Sequence, residues 1–280
     1  MAEVIRKING VEICTEDFGD PTMPAVLLMM GATASMMWWD DRFCTALADQ
    51  GRYVIRYDNR DTGQSTCYEP GRPPYNVIDL ADDAVSLLDS FGLKDAHLVG
   101  MSLGGMIAQI VAIRNPDRVR TVTAISSSVW DDRPELMQMD EQVLAHHATA
   151  SSVDWSDRHS VVDFMVEGCR ILNGSAHAFN ENAARKLAER DMDRARSLLS
   201  MFNHAQLTGG EDLYGRSVEI RCPFLIIHGT EDPILPFAHA RALHADVAGS
   251  TLLALEGVGH ELHEADWPVI IDAIIAHTSK

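Results

Sequence analysis

The sequence predicts an α/β protein in which a mostly parallel sheet is covered by helices on both faces. Two observations support this prediction. Short apolar runs of strand length alternate with helical patterns through the first 125 residues, and such alternation favours parallel strands joined by crossover helices. The alternation stops near residue 129 and resumes near residue 222. We therefore expect a helical segment to be inserted between two strands of the sheet.

Each predicted element has a local signal. The continuous apolar run at 25–30 is typical of a strand buried on both faces. The pattern at 77–91 places Leu80, Ala84 and Leu87 on one helix face, and Gly92 follows as a helix-ending residue. The predicted strands are 11–15 as an edge strand, 25–30, 53–57, 96–99, 121–125, 222–228 and 251–255. The predicted helices are 40–50, 77–91, 103–114, 164–172, 182–201, 238–247 and 267–277.

The interrupted alternation also predicts the domain organisation. Residues 1–128 and 216–280 are expected to form an α/β core, and residues 129–215 a helical cap, or lid, inserted into it. Ligands of open α/β sheets bind outside the carboxyl ends of the strands. We expect the cap to lie over those ends and to influence which substrate binds there.

Charge and cysteine content exclude several classes of protein. The 280 residues include 23 Lys and Arg against 41 Asp and Glu, a formal net charge of −18. This balance disfavours binding to nucleic acid or to an anionic membrane surface, which both depend on basic side chains. Five cysteines without a CxxC pair predict neither disulfides nor a zinc site and favour a reducing compartment.

These features describe an expected cytoplasmic protein with a small-molecule partner. The first ten residues carry charges and no apolar core typical of a signal peptide. No apolar run approaches the length of a membrane span. The histidines show no metal-ligand spacing, since His146 and His147 are adjacent and do not share a helix face. We expect no cofactor and no metal, and the sequence leaves the oligomeric state, monomer or homodimer, open.

The motif Gly100-Met101-Ser102-Leu103-Gly104 is the strongest chemical signal. It follows a predicted strand and precedes a predicted helix, which is the context of a nucleophile elbow. The turn requires small neighbours around Ser102. The start of the helix directs free backbone N–H groups and the positive end of its dipole at the reacting centre.

A serine nucleophile needs a histidine base held by a carboxylate. Asp232 follows the predicted strand 222–228, and His260 follows the strand 251–255. Together with Ser102 they occur in the chain order serine, acid, histidine that this architecture uses. The weaker alternatives are Glu231, Asp131 and Asp132 for the acid and His263 for the base. His97 and His228 lie within predicted strands, where packing is the favoured interpretation.

The tetrahedral oxyanion formed by serine attack needs two hydrogen-bond donors. The backbone N–H of Leu103 is one candidate, and the backbone N–H of Ala32, after the strand 25–30, is the other. Methionine adapts to irregular apolar shapes, and methionine and tryptophan residues are frequent near the elbow and after that strand. The expected lining of the substrate pocket is Gly31, Met101, Trp39 and Met165.

Together these residues resemble the α/β-hydrolase family over nearly the whole chain. The usual His-Gly of the oxyanion loop is Met30-Gly31 here, and the usual Asp-x-Arg-Gly-x-Gly-x-Ser becomes the segment 58–65, with Asp61 in place of the first glycine. These departures, with the Asp-Phe-Gly-Asp-Pro run at 17–21 and Trp39, resemble the aclacinomycin methylesterase type. The resemblance implies an α/β-hydrolase fold and cleavage of a carboxylic methyl ester, and it implies a bracing role for the segment 58–65.

We therefore expect a carboxylic ester hydrolase that acts through Ser102, His260 and Asp232 and an acyl-enzyme on a small apolar or aromatic ester. The alternatives are lactone or enol-lactone opening, carbon–carbon bond hydrolysis or perhydrolysis on the same three residues. A non-catalytic receptor on a hydrolase fold is a further alternative. Dehalogenase and epoxide hydrolase chemistry is disfavoured, because those family members carry Asp at the elbow position occupied here by Ser102.

Overall fold

The protein is described by a computed structural model that covers residues 2–136 and 139–279. Eight strands form one sheet in the order β1-β2-β4-β3-β5-β6-β7-β8. All neighbouring strands from β4 onward in this order pair in parallel, whereas β2 pairs antiparallel with β1 and β4. The strands are β1 (Val4–Ile8), β2 (Val11–Phe18), β3 (Ala25–Met29), β4 (Tyr53–Tyr57), β5 (Ala96–Met101), β6 (Val119–Ile125), β7 (Phe224–Gly229) and β8 (Thr251–Leu255).

One sequence prediction about the sheet was wrong. The edge strand on this side is β1 rather than the 11–15 segment, which belongs to β2 and lies between β1 and β4. The short strand β1 contains the charged residues Arg6 and Lys7, so it does not form the apolar run by which the other strands were predicted. The Asn9-Gly10 turn between the two strands, with φ of 46° and 77°, is a typical hairpin signal that would have revealed it.

Helices cover both faces of the sheet, as predicted. The core helices are α1 (Asp41–Asp49), α2 (Val77–Ser90), α3 (Leu103–Arg114), α7 (Ala238–Asp246) and α8 (Trp267–His277). Alternate strand residues point to opposite faces. Leu27, Leu98 and Ile226 pack with α2, α3 and α7, whereas Val26, Val99 and Ile227 pack with α1 and α8. The two apolar layers hold the strand ends, and the loops that follow them, in place.

The described chain between β6 and β7 forms helices and no strand. It contains α4 (Glu141–Thr149), α5 (Arg158–Leu172), α6 (Glu181–Arg194) and several 3-10 turns, including Leu199–Gln206. The single helix expected over 182–201 is therefore wrong, because α6 ends at Arg194 and a 3-10 helix follows. Helices α5 and α6 bury Val162, Val166 and Ala188 between them. We refer to residues 129–215 as the cap segment.

Buried polar contacts anchor the cap segment on the core. The Arg194 guanidinium binds both carboxylate oxygens of Asp58, at 3.0 and 2.6 Å. The Asp191 carboxylate accepts hydrogen bonds from the Trp38 indole at 2.9 Å and from the Ser35 hydroxyl. A Cβ at Gly63 would overlap both Arg194 and Asp58, so glycine is required where this pair forms. No helix within the described ranges has the length and apolar character needed to cross a membrane.

Candidate active site

Ser102 occupies a strained turn between β5 and α3. Its φ of 52° and ψ of −119° are unfavourable for any residue with a side chain, and such strain costs about 1–3 kcal/mol and is concentrated at functional sites. A Cβ at Gly100 would overlap the backbone of Gly104, and a Cβ at Gly104 would overlap the Met29 carbonyl. Both motif glycines are therefore required by close backbone approaches, and Ser102 lies in a tight strand-to-helix turn of the kind that the motif predicts.

The loop after β3 passes directly beside the Ser102 side chain. A Cβ built on Gly31 would lie 3.1 Å from Ser102 Cβ and 3.7 Å from its hydroxyl oxygen. The backbone of the serine is fixed on its other side, because its N–H donates to the Ile125 carbonyl at 2.9 Å and its carbonyl accepts from the Ser127 hydroxyl at 2.8 Å. Ser102 is thus presented between the loop after β3 and the end of β6.

Asp232 and His260 form a buried pair. Nδ1 of His260 lies 2.7 Å from Oδ2 of Asp232, and the two side chains are 7% and 0% exposed. Asp232 follows β7 and His260 follows β8, which are neighbouring strands of the sheet. Because parallel strands end at the same edge, the loops that follow them bring the two side chains together.

The other oxygen of Asp232 is held by backbone donors. Oδ1 accepts hydrogen bonds from the N–H groups of Ile234, at 2.9 Å, and Leu235, at 2.8 Å. Burial by itself raises the pKa of this carboxyl group, but the charge of His260 and hydrogen bonds from His228 and His260 lower the pKa of Asp232 far below its usual value. The carboxylate is therefore ionised and fixed, as a group that orients an imidazole must be.

The alternative acids and bases lie in other contacts. Glu231 accepts hydrogen bonds from the Ser175 backbone and hydroxyl at 2.9 and 2.8 Å. Asp131 pairs with Arg133 at 2.8 Å, and the neighbouring Asp132 is exposed. The ring of His263 stacks on another imidazole at 4.3 Å. The geometry thus favours Asp232 and His260 over the alternatives left open by the sequence.

The three expected residues are brought together to different degrees. Asp232 and His260 are in direct contact, whereas no hydrogen bond joins the Ser102 hydroxyl to His260 in the ranges 2–136 and 139–279. Such contacts are often long in a ligand-free site and tighten when substrate binds. Ser102 follows β5, which lies two strands from β7 in the same sheet, so the three loops share one edge.

Comparisons with known proteins identify the family. Residues 24–266 match the family model described as the alpha/beta hydrolase fold. The chain belongs to the α/β-hydrolase family. It is 30% identical over 291 aligned residues to the rhodomycin D methylesterase DauP of Streptomyces sp. (strain C5), with 96% of each chain covered. It is 24% identical to 3-oxoadipate enol-lactonase 2 of Acinetobacter baylyi, over 85% of this chain and 83% of the other.

A solved structure supports the same fold. The esterase RhEst1 of Rhodococcus sp. ECU1013 superposes with a TM-score of 0.81 at 19% identity, over 100% of this chain and 98% of the other. At this identity the likeness concerns the fold. The family match and the methylesterase relative show that the protein is an enzyme and a hydrolase.

In this α/β-hydrolase the cap segment holds the loop that carries His260. The backbone N–H of His260 donates to the Leu172 carbonyl at 2.8 Å, and the Glu261 carboxylate accepts from the Gly174 N–H at 3.1 Å. A further backbone hydrogen bond joins Ala176 to Gly257 at 2.8 Å. The end of α5 is thus fastened to the loop of the proposed base. Sequence reasoning had assigned only substrate selectivity to this segment.

The expected oxyanion donors belong to two segments that adjoin Ser102, the start of α3 and the loop after β3. Leu103 is the first residue of α3, where a backbone N–H has no partner within the helix. Ala32 follows Gly31 in the loop beside the serine, and the N–H of the next residue, Thr33, is occupied by His204 Nδ1 at 3.0 Å. Sequence reasoning missed His204, which lies 171 positions away from Thr33 along the chain.

The segment 58–65 braces this loop through polar contacts. The Asn59 amide donates to the Met30 carbonyl at 3.3 Å, and Asp58 accepts from the Met36 N–H at 2.9 Å. The hydroxyl of Ser65 donates to the Asp58 carbonyl at 2.7 Å. The segment therefore fixes the chain on both sides of residues 31–35, in agreement with the role that the family resemblance implied.

The expected pocket residues divide into two groups. Gly31 and Met101 are both buried. Gly31 lies beside the Ser102 side chain, and Met101 precedes Ser102 in the chain. Trp39 is fully buried and its ring stacks on Phe43 at 5.7 Å, so its assignment to an open pocket was wrong. Its large indole instead fills the apolar layer beside α1. Met165 is half-buried against the apolar cluster between α5 and α6.

One group of side chains has the residue types of a metal site. His177, His263 and Asp266 offer ligand atoms within 4.8 Å of one another. His177 already bonds to Asp266 at 2.9 Å, and the two imidazole rings stack with an interplanar angle of 14°. A metal ion lies in the plane of each imidazole that binds it. Two nearly parallel stacked rings therefore cannot direct their nitrogens at one ion in this arrangement.

Proposed function

We propose that this hydrolase cleaves carboxylic esters, with Ser102 as nucleophile, His260 as general base and acid, and Asp232 as the carboxylate that orients His260. The buried contact of 2.7 Å between His260 Nδ1 and Asp232 is the observation on which the proposal rests. This contact leaves His260 Nε2 to exchange a proton with serine. The strained turn at Ser102 and the family of the chain support the same assignment.

The proposed reaction has two halves. In the first, the Ser102 oxygen attacks the ester carbonyl carbon while His260 Nε2 takes the hydroxyl proton. The N–H groups of Ala32 and Leu103 stabilise the resulting oxyanion. The carbon–oxygen bond to the alcohol then breaks, and His260 gives its proton to the leaving alkoxide. In the second half, water attacks the acyl-enzyme with the same proton transfers, and the carboxylic acid leaves.

The proposed substrate is a small ester with an apolar or aromatic acyl group. The relative named as a rhodomycin D methylesterase favours a methyl ester as the bond that is cleaved. We further propose that core residues 1–128 and 216–280 perform the chemistry and that the cap segment shapes the acyl site. The free cysteines favour a reducing compartment such as the cytoplasm.

Opening of a lactone is a second candidate function. The relative named as a 3-oxoadipate enol-lactonase matches 85% of the chain, and a lactone is an internal ester that the same three residues can attack. In that case the alcohol remains tethered to the product, so one molecule with two new polar groups is released rather than an acid and an alcohol.

A hydrolysis panel separates these proposals. It contains p-nitrophenyl esters from acetate to laurate, aromatic methyl esters and an enol-lactone, each measured with the wild-type protein and with Ser102→Ala. We expect turnover of methyl esters, a burst of p-nitrophenol, and covalent labelling of Ser102 by a fluorophosphonate. Turnover of the lactone alone favours the second candidate. Unchanged activity in Ser102→Ala contradicts both.

A further inference from the structure

A buried histidine of the cap segment reaches the loop beside Ser102. His204 lies in the 3-10 helix Leu199–Gln206 and is 6% exposed. Its Nδ1 accepts a hydrogen bond from the Thr33 N–H at 3.0 Å, and its Nε2 lies 2.8 Å from the Arg60 carbonyl oxygen. Each ring nitrogen therefore has one backbone partner within hydrogen-bond distance.

These two partners determine the chemical form of the imidazole. A backbone N–H can only donate, so Nδ1 must carry a free lone pair. A carbonyl oxygen can only accept, so Nε2 must carry the hydrogen. The side chain is therefore the neutral Nε2–H tautomer. Burial lowers the pKa of His204, which favours the same neutral form.

The residue that His204 holds has an unfavourable backbone conformation. Thr33 has a φ of 66°, in the left-handed region that a β-branched residue rarely adopts. Without a fixed partner for its N–H, this loop could relax to a more favourable conformation. Thr33 directly follows Ala32, and Gly31 lies beside the Ser102 hydroxyl. The hydrogen bond from Thr33 thus holds the peptide between Ala32 and Thr33, which adjoins the peptide that carries the Ala32 N–H.

We propose that His204 is a positioning residue of the oxyanion hole: from the cap segment, it holds the loop so that the Ala32 N–H faces the oxyanion. The inference rests on the proposed function. It also assigns a catalytic contribution to a segment for which the sequence predicted an effect on substrate selectivity alone.

The 3-10 helix has anchors that do not depend on His204. The Ser200 hydroxyl donates to the Asp61 carbonyl at 3.0 Å. The Asn203 amide donates to the Asp61 carboxylate at 2.9 Å. The Gly71 N–H donates to the Asn203 side chain at 2.7 Å. A substitution of His204 should therefore leave the cap segment docked and change mainly the loop at Thr33.

Two substitutions separate the two hydrogen bonds of His204. In His204→Asn, the side-chain oxygen occupies the position of Nδ1 and can still accept from Thr33. In His204→Gln, the side-chain amide occupies the position of Nε2 and keeps only the contact to the Arg60 carbonyl. The matched control is His97→Asn, which changes another buried histidine. His97 lies on β5, and its Nδ1 is 3.0 Å from the Thr121 hydroxyl oxygen.

The expected result is a fall in kcat without a matching rise in KM. His204→Gln should lower kcat about 10- to 100-fold, the loss typical of a small displacement of a catalytic group, because an oxyanion donor acts mainly in the transition state. His204→Asn should retain most of the activity, and His97→Asn should change the unfolding midpoint but not kcat. A wild-type kcat in His204→Gln, or equal losses in the Asn and Gln variants, overturns the inference.

A measurement on the wild-type protein does not depend on how the variants fold. Long-range ¹H–¹⁵N spectra of the histidine rings should show His204 as the Nε2–H tautomer, and the Thr33 amide should exchange slowly with solvent. A proton on Nδ1 overturns the inference. If the wild type neither cleaves esters nor labels at Ser102, the proposed function fails and this inference with it. An active wild type with an unaffected His204→Gln variant removes the inference alone.

Discussion

Nε2 of His228 lies 3.3 Å from Oδ2 of Asp232, and both side chains are fully buried. The same nitrogen lies 2.7 Å from the Leu235 carbonyl, so its hydrogen is directed between the carbonyl and the carboxylate. Oδ2 of Asp232 also contacts His260 at 2.7 Å. One carboxylate oxygen is therefore shared by two imidazoles, of which only His260 follows β8, the last strand of the chain.

Replacement of His228 should weaken catalysis without abolishing it. A hydrogen bond to a charged group contributes about 1.5–3 kcal/mol, so His228→Leu should lower kcat about 10- to 100-fold by loosening Asp232. His228→Gln is the matched control, because its amide can still donate from a similar position. Asp232→Asn should cost about 10⁴-fold, as in a comparable triad. Full activity in His228→Leu would show that the backbone donors at residues 234 and 235 fix the carboxylate alone.

Ser102 should be replaceable by glycine with a gain in stability and a loss of activity. Ser102→Ala and Ser102→Gly both remove the hydroxyl, so neither should turn over esters. Glycine adopts the φ of 52° found here without steric cost. Ser102→Gly should therefore unfold at a higher urea concentration than Ser102→Ala. Its free energy of unfolding should be larger by about 1–3 kcal/mol. Equal stability of the two variants would show that the turn stores no strain.

Activity should rise with pH as the general base loses its proton, because only a neutral imidazole accepts from serine. The lowered pKa of Asp232 means that its contribution to stability is present above the unfolded-state pKa of aspartate. That contribution is lost only as the pH falls through the lower folded-state value. Between about pH 5 and 9, kcat/KM should therefore report the histidine base rather than Asp232. A flat profile of kcat/KM across this range contradicts a histidine base.

Removal of Arg194 should destabilise the protein more than removal of an exposed arginine. Arg194 is 9% exposed and binds Asp58, which is fully buried. Breaking a buried pair costs about 3–5 kcal/mol, because it leaves an uncompensated charge. Arg194→Leu should therefore lower the urea midpoint strongly. The urea midpoint should change little in Arg158→Leu, which breaks the exposed pair with Asp193. Similar midpoints for the two variants would mean that Arg194 does not anchor the cap segment.

Much of the fold follows from local signals in the chain. The order of apolar runs and helical patterns predicts seven of the eight strands and the five core helices, because each pattern reports the face its own element buries. The positions of Ser102, Asp232 and His260 in the fold were predictable for a related reason. Each lies in the loop that follows a strand, so its place at the carboxyl edge of the sheet depends on short stretches of sequence.

The supporting residues had no such local signal. Arg194 reaches Asp58 across 136 positions, and His204 reaches Thr33 across 171. These contacts depend on how the cap segment docks on the core. The sequence pattern predicts only a packing role for His228 within its strand. The turn at 232–235 brings Asp232 back toward it. Such residues emerge from tertiary geometry, which single-sequence patterns do not encode.

The cap segment should influence bulky substrates through its side chains and all substrates through its fold. Truncation of a side chain that contacts the acyl group changes the fit, and one methylene of fit corresponds to roughly 1–3 kcal/mol, or 10- to 200-fold between substrates. On the proposal that α5 shapes the acyl site, Met165→Ala and Leu172→Ala should lower kcat/KM for a bulky aromatic methyl ester much more than for an acetate ester. Val162→Ala is the matched control, since Val162 is 2% exposed within the cluster between α5 and α6. Its truncation should lower stability and leave the ratio of the two kcat/KM values unchanged. If Met165→Ala and Leu172→Ala behave like Val162→Ala, the cap segment supports the fold and the loop of His260, and substrate selectivity must be sought in the core residues around Ser102.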